Sequence, residues 1–166
     1  MLVKGHIKIK AFDMIKNKII VGIIISVVVS AFGGLALLQR VSAEPEMTVY
    51  KSATCGCCNK WIKHMEDNGF QIKAVDVLDV NHFKQQYGIS REHASCHTAV
   101  VDGYVVEGHV PALDVKRLLS EKPDVLGLSV PGMPVGSPGM EMGGRLDHYS
   151  VIAIDKDGST EVFNQY

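Results

Sequence analysis

The feature that most constrains the fold is a cluster of cysteines at a predicted strand-to-helix junction. Cys55, Cys57 and Cys58 stand in the segment "MTVYKSATCGCCNKW". The alternation of polar and apolar residues over 47–52 predicts a short strand before them. Apolar side chains then recur at helical spacing until the glycine at 69: Cys58, Trp61, Ile62 and Met65. The fold must therefore place sulfur where a strand ends and a helix begins.

The rest of the chain alternates predicted strands and helices. A strand is predicted at 70–78, a helix at 79–88, a hairpin at 98–108, a helix at 111–119 and a final hairpin at 149–163. The first hairpin turns at Asp102-Gly103, a strong hairpin signal. The order β-α-β-α-β-β-α is that of a thioredoxin-like α/β domain, although periodicity alone also allows other α/β folds.

Residues 1–43 are predicted to be a targeting segment. Five lysines precede an uncharged run from Ile19 to Leu38, and Val41-Ser42-Ala43 supplies small residues at a cleavage site. This pattern favours a signal peptide cleaved after Ala43. Because the run is about as long as a membrane-spanning helix, an uncleaved membrane anchor is the alternative. Either reading places residues 44–166 in the periplasm or another extracytoplasmic space.

The charge balance of the predicted domain limits its partners. From Glu44 onward the chain has 11 Lys and Arg against 17 Asp and Glu. This acidic balance, without basic runs, argues against nucleic acid. A domain of about 120 residues can also build a hydrophobic core without disulfides. Export to an oxidising compartment nevertheless keeps a structural disulfide among the alternatives.

The cysteine spacing favours metal binding over two other uses. Cys55 and Cys58 form a C-x-x-C pair at a helix start, where the helix dipole favours thiolate, and this suits a dithiol redox enzyme. Such an enzyme gives Cys57 no function. Three sulfurs in one helical turn suit a soft ion such as Cu(I) or Zn²⁺ better. A redox pair and a structural bridge stay open as alternatives.

Cys96 and His97 directly precede the third predicted strand. In a thioredoxin-like fold this loop faces the cysteine-bearing helix, so we expect both residues to join the cluster. Taken alone, they would suggest a buried free cysteine beside a surface histidine. Thioredoxin-like enzymes normally keep a cis proline here, and its replacement by His97-Thr98 argues against a thiol–disulfide oxidoreductase, while a copper or thiol oxidoreductase activity stays open. His109 is expected to cap or orient the third helix, with a ligand role as the alternative.

A Gly- and Pro-rich loop at 130–144 contains Met133, Met140 and Met142. Methionine usually fills cores, but this segment is too irregular to bury an apolar stripe. Its thioethers are soft donors that suit Cu(I). We therefore predict a contribution to the metal site, the alternative being a loop that packs over an apolar patch.

Three motifs, "CGCC", "SCHTAVVDGYVVEGHVPA" and "PGMPVGSPGME", together resemble the CopG-like copper-resistance proteins of the bacterial envelope. The resemblance implies a thioredoxin-like fold and copper bound through clustered cysteines. The positions that match are Cys55, Cys57, Cys58, Cys96 and His97, with the loop methionines also matching. We therefore expect an exported protein that binds copper, chiefly Cu(I), for copper tolerance, with thiol-linked Cu(II)/Cu(I) chemistry and envelope copper-handling partners. The alternative is a thiol–disulfide oxidoreductase that uses Cys55 and Cys58.

Overall fold

The computed structural model describes residues 45–166. The described residues belong to one compact unit. The predicted signal peptide or anchor at 1–43 lies outside them. Within 45–166, no helix has both the length and the apolar character needed to cross a bilayer.

The first three elements form a parallel β-α-β unit, as predicted. Strand β1 (Met47–Lys51) buries every second side chain. Helix α1 (Gly56–Asp67) follows and ends shortly before Gly69, which has a φ of +94°. Glycine adopts this left-handed conformation at little cost, so it suits the end of a helix. Strand β2 (Ile72–Asp76) then lies parallel to β1.

A second helix and the predicted hairpin follow. Helix α2 (Val80–Gln86) begins after Asp79, whose carboxylate accepts a backbone N–H of the first turn. Strands β3 (Thr98–Val101) and β4 (Tyr104–Gly108) pair antiparallel. Their turn, Asp102-Gly103, has φ values of 48° and 85°. Two positive φ angles are what a tight two-residue hairpin requires, so the local sequence explains this turn.

Helix α3 (Ala112–Glu121) completes the predicted order and ends at Lys122, which is in the left-handed conformation. The seven-stranded sheet has the order β2-β1-β3-β4-β5-β6-β7. Its first four strands and the three helices have the thioredoxin-like arrangement. The predicted fold class is therefore confirmed.

The sheet continues beyond α3 with three strands, one of which was not predicted. Strand β5 (Gly127–Val130) is fully buried and lies parallel to β4. A Cβ at Gly127 would overlap the Val105 carbonyl oxygen, so only glycine allows this approach. Four residues that include Gly and Ser carry little strand signal. Strands β6 (Ser150–Ile154) and β7 (Thr160–Gln165) form the predicted final hairpin.

The sheet separates two apolar clusters. The larger contains the buried faces of α1 and α3, and the smaller lies beside the end of α2. Adjacent strand residues point to opposite faces, so Val106 joins the larger cluster and Val105 the smaller. In the larger cluster, Trp61 of α1 donates its Nε1–H to the Val110 carbonyl at 2.9 Å. This bond fixes the cysteine-bearing helix to the segment that follows β4.

Candidate metal centre

Three cysteines surround the start of α1. Cys55 is the N-cap residue, with an extended backbone, and its sulfur accepts the Cys58 N–H at 3.3 Å. Ser, Thr, Asp or Asn usually supplies an oxygen here. In this chain a sulfur takes that position, at the positive end of the helix dipole.

All four cysteines of the chain meet at this helix start. Cys55 and Cys58 form a disulfide, while Cys57 and Cys96 are free thiols. The Cys57 sulfur lies 3.5 Å from that of Cys55, and the Cys96 sulfur lies 3.5 Å from that of Cys58. The two free thiols are 3.9 Å apart, measured between their sulfurs. The four sulfurs therefore form one cluster.

Strand pairing explains how the distant Cys96 reaches this cluster. Strands β1 and β3 are antiparallel, with Thr98 opposite Tyr50. The segment that enters β3 consequently lies beside the segment that leaves β1. The first segment carries Cys96 and the second carries Cys55, so the distances agree with the adjacency expected from the fold. The use of these cysteines as copper ligands stays a prediction.

Two imidazoles flank the Cys96 sulfur. His109 Nε2 lies 3.0 Å from it and His97 Nδ1 lies 3.3 Å from it. His109 Nδ1 is 2.8 Å from the Pro138 carbonyl oxygen. Because a carbonyl only accepts, Nδ1 carries the proton and Nε2 presents its lone pair to Cys96. A second hydrogen bond that fixes the ring in this way is usual for metal-ligating histidines.

Burial keeps these side chains neutral. Burial, reinforced by the nearby Cys57, raises the pKa of the Cys96 thiol to about 12. Burial also lowers the pKa of His109 and, with His109 as the second cause, lowers the pKa of His97 well below its ordinary value. The disulfide form therefore holds a protonated thiol between two neutral imidazoles. A bound cation would favour the thiolate and release its proton.

His97 is completely buried, and its Nε2 is the buried side-chain nitrogen that lacks a hydrogen-bond partner in 45–166. Its ring packs against Trp61 at 4.3 Å between centroids and edge-on against His109 at 5.2 Å. The Nδ1 atom faces the Cys96 sulfur. Nδ1 is therefore the nitrogen through which His97 can contribute to an ion bound at Cys96.

The methionine-containing loop covers the cysteine turn through its backbone. Gly139, at a φ of +86°, approaches α1 so closely that a Cβ would lie 2.8 Å from the Cys57 carbonyl oxygen. The side chains of Met133 and Met142 are 52% and 62% exposed, whereas Met140 is partly buried. The structure thus brings the loop backbone to the site. Ligation by its methionines stays a prediction.

Two histidines have roles that differ from the sequence expectation. The ring of His109 contacts Cys96 and Pro138 rather than the start of α3. His64 supplies that contact instead, since its Nε2 accepts the Ala112 N–H at 3.1 Å. From the sequence, a place in the site was only the alternative for His109, and no role was predicted for His64. Both contacts join residues that are distant along the chain, so neither leaves a local sequence signal.

Fold and site together define a thioredoxin-like domain with a cluster of four cysteines, instead of a single cysteine pair, at its first strand–helix junction. A family model described as "Protein of unknown function, DUF411" matches residues 93–140. No curated protein matches the chain significantly.

Two solved structures are similar over almost their whole length. They are described as copper resistance protein CopG, forms 1 and 2, and both are 46% identical to this chain. Each alignment covers 74% of this chain and 98% of the other, with TM-scores of 0.70 for form 1 and 0.71 for form 2. At this identity and coverage, the chain belongs to the CopG family of copper-resistance proteins.

Proposed function

We propose that this protein is an exported copper-binding protein that holds Cu(I) as cargo through clustered cysteines and serves copper tolerance. The observation that carries the proposal is the cluster of four cysteine sulfurs, in which neighbouring sulfurs of Cys57, Cys96 and the disulfide lie 3.5 to 3.9 Å apart. Thiolates select soft Cu(I) over harder ions. The similarity to two copper-resistance structures supports the same function.

The arrangement of donors fits a soft ion. One group of closely spaced donors consists of the four cysteines, and a second joins Cys96 to two histidines. Cys96 belongs to both groups. We propose the cysteines as the main ligands, with His97 and His109 completing the site at Cys96. The loop methionines are proposed as additional soft donors: Met133, Met140 and Met142.

The disulfide makes copper binding depend on reduction. Two electrons and two protons convert the Cys55–Cys58 disulfide into two thiols, which gives the cluster four. In the reverse direction, two thiols reduce two Cu(II) ions, and the products are one disulfide, two Cu(I) ions and two protons. We propose that this couple links the thiol state of the domain to the oxidation state of its copper.

The proposed placement follows from the N-terminal pattern. Cleavage after Ala43 would release residues 44–166 into the periplasm, whereas an uncleaved segment would tether them to the membrane. In this compartment the proposed partners are copper ions and other envelope copper-handling proteins.

Anaerobic copper titration tests the proposal. Reduced protein is titrated with Cu(I) in the presence of a competing chelator, and the metal is counted per chain. A variant in which all four cysteines are replaced by serine is the control. We expect the wild-type protein to retain Cu(I) and to hold Zn²⁺ more weakly. If the chelator removes copper equally well from both proteins, the proposal is wrong.

One observation favours a second function. The disulfide between Cys55 and Cys58 lies at a helix N-terminus, which suits a thiol–disulfide oxidoreductase. The substitution Cys57→Ser separates the two functions. If copper is the cargo, this substitution should lower the affinity for Cu(I) roughly tenfold or more. Even the loss of a residue that only hydrogen-bonds to a metal ligand typically lowers metal affinity by that factor. Unchanged affinity together with retained reduction of insulin disulfides would favour the oxidoreductase.

A further inference from the structure

A buried carboxylate lies next to the segment that carries Cys96. Glu107 of β4 has no solvent exposure and points to the face of the sheet that α2 covers. Lys84 of α2 is 5% exposed, and its Nζ lies 2.6 Å from Glu107 Oε1. Buried ion pairs contribute little net stability compared with apolar side chains of similar volume. Stability alone therefore does not account for this pair.

The Glu107 carboxylate bonds to the residues on both sides of Cys96-His97. Its Oε1 accepts the Ser95 backbone N–H at 2.6 Å, and its Oε2 accepts the Thr98 hydroxyl at 2.7 Å. Lys84 Nζ also donates to Thr98 Oγ1 at 3.1 Å. The Glu107 carboxylate thus fixes the backbone on both sides of Cys96-His97, and Lys84 in turn holds that carboxylate.

The backbone after Glu107 brings the two segments closer still. Gly108 donates its N–H to the His97 carbonyl at 3.0 Å. Gly108 has a φ of +72°, and a Cβ there would overlap the Ser95 Cβ. The end of β4 and the Cys96 segment are therefore in direct contact, and a shift at Glu107 would be transmitted to Cys96.

We propose that Glu107 is a positioning residue for Cys96. By its hydrogen bonds to Ser95 and Thr98, Glu107 keeps the Cys96 sulfur close to the other three cysteine sulfurs. The copper consequence rests on the proposed function. The positioning of Cys96 does not rest on it, since the 3.9 Å distance between the Cys57 and Cys96 sulfurs is observed directly.

Two double variants isolate the bonds made by Glu107. Removing Glu107 alone would leave a buried unpaired lysine, which is strongly destabilising. We therefore compare Lys84→Met/Glu107→Gln with Lys84→Met/Glu107→Leu. The glutamine keeps an acceptor for the Ser95 N–H and an amide for Thr98, whereas leucine keeps neither. Both variants lack the ion pair, so a difference between them reports the two hydrogen bonds.

The first measurement is free of metal. In a full-length Cys55→Ser/Cys58→Ser background, Cys57 and Cys96 are the two remaining cysteines. Glutathione buffers and mass spectrometry then give the effective concentration of one thiol toward the other. We expect the glutamine variant to stay within about threefold of its parent and the leucine variant to fall about tenfold or more. Equal values in the two folded variants would overturn the proposal.

The second measurement is Cu(I) competition in the four-cysteine protein. We expect the leucine variant to bind Cu(I) about tenfold or more weakly than the glutamine variant. Adding Cys96→Ser to both should close this gap, because Glu107 acts through Cys96. A gap that persists without Cys96 would contradict the positioning role. If the effective concentration falls as expected but wild-type protein does not retain Cu(I), the positioning role stands and the proposed copper function fails.

A buried carboxylate elsewhere provides a matched control. Asp114 is 2% exposed and accepts hydrogen bonds from Asn164 and Tyr166, both at 2.8 Å. We expect Asp114→Asn to lower stability, measured by thermal unfolding, and to leave the effective concentration of Cys57 toward Cys96 unchanged. An equally large fall in this control would show a general effect of buried carboxylates and would overturn the proposal.

Discussion

Replacing Gly139 by alanine should displace the methionine-containing loop from the cysteine turn. The added Cβ would lie 2.8 Å from both the Cys57 carbonyl oxygen and the Trp61 backbone nitrogen. Both atoms belong to the backbone of α1, which cannot rotate aside as a flexible side chain would. The loop must therefore move, and with it the Pro138 carbonyl that orients His109.

The magnitude follows from three contributions. Alanine at a left-handed φ costs about 1–2 kcal/mol. Overlap with a packed backbone adds about 1–3 kcal/mol, and loss of the Pro138–His109 hydrogen bond adds about 1 kcal/mol. Gly132 is a matched control, since its φ is +70° but a Cβ there would meet nothing within 4 Å. We expect Gly139→Ala to lower the free energy of unfolding by about 2–4 kcal/mol more than Gly132→Ala does.

Denaturant unfolding followed by circular dichroism measures this difference in the disulfide form. Cu(I) competition in the reduced form then tests whether the loop supports the site. We expect weaker copper binding for Gly139→Ala and little change for Gly132→Ala. Equal unfolding free energies for the two variants would refute the reasoning, because the close approach of the loop to α1 would then make no contribution to stability.

Three further predictions concern other parts of the molecule. Burial raises the pKa of Cys96 to about 12, so its alkylation in the disulfide form should be at least about a hundredfold slower at pH 8 than that of free cysteine and should accelerate with rising pH. Mass spectrometry of the labelled peptide measures this rate, and labelling as fast as that of free cysteine would contradict the prediction. His64→Ala removes the acceptor of the Ala112 N–H and should lower the free energy of unfolding by about 1–2 kcal/mol, so an unchanged unfolding midpoint would contradict that role. Cleavage after Ala43 predicts a mature protein that begins at Glu44, and intact mass or N-terminal sequencing that retains the apolar run would instead show an anchor.

Local signals were sufficient for most of the fold. The alternation in β1, the helical spacing of Trp61 and Met65, and the Asp102-Gly103 turn all depend on neighbouring residues. Their order along the chain was enough to predict the thioredoxin-like arrangement and hence the adjacency of Cys96 to the cysteine turn. Strand β5 was not predicted, because its burial beside Val105 depends on a contact that Gly127 makes across the sheet.

The sequence by itself thus identified the cysteines as the candidate metal-binding residues, and the tertiary structure decided which atoms come into contact. Cysteine spacing identified the cluster, since three of the four cysteines lie within one helical turn. The pairing of Cys55 with Cys58, the contact of His109 with Cys96, and the bonds from Glu107 to the Cys96 segment are visible only in the folded chain. Each joins atoms whose distance is set by helix and sheet packing, and such a distance leaves no pattern in the local order of residues.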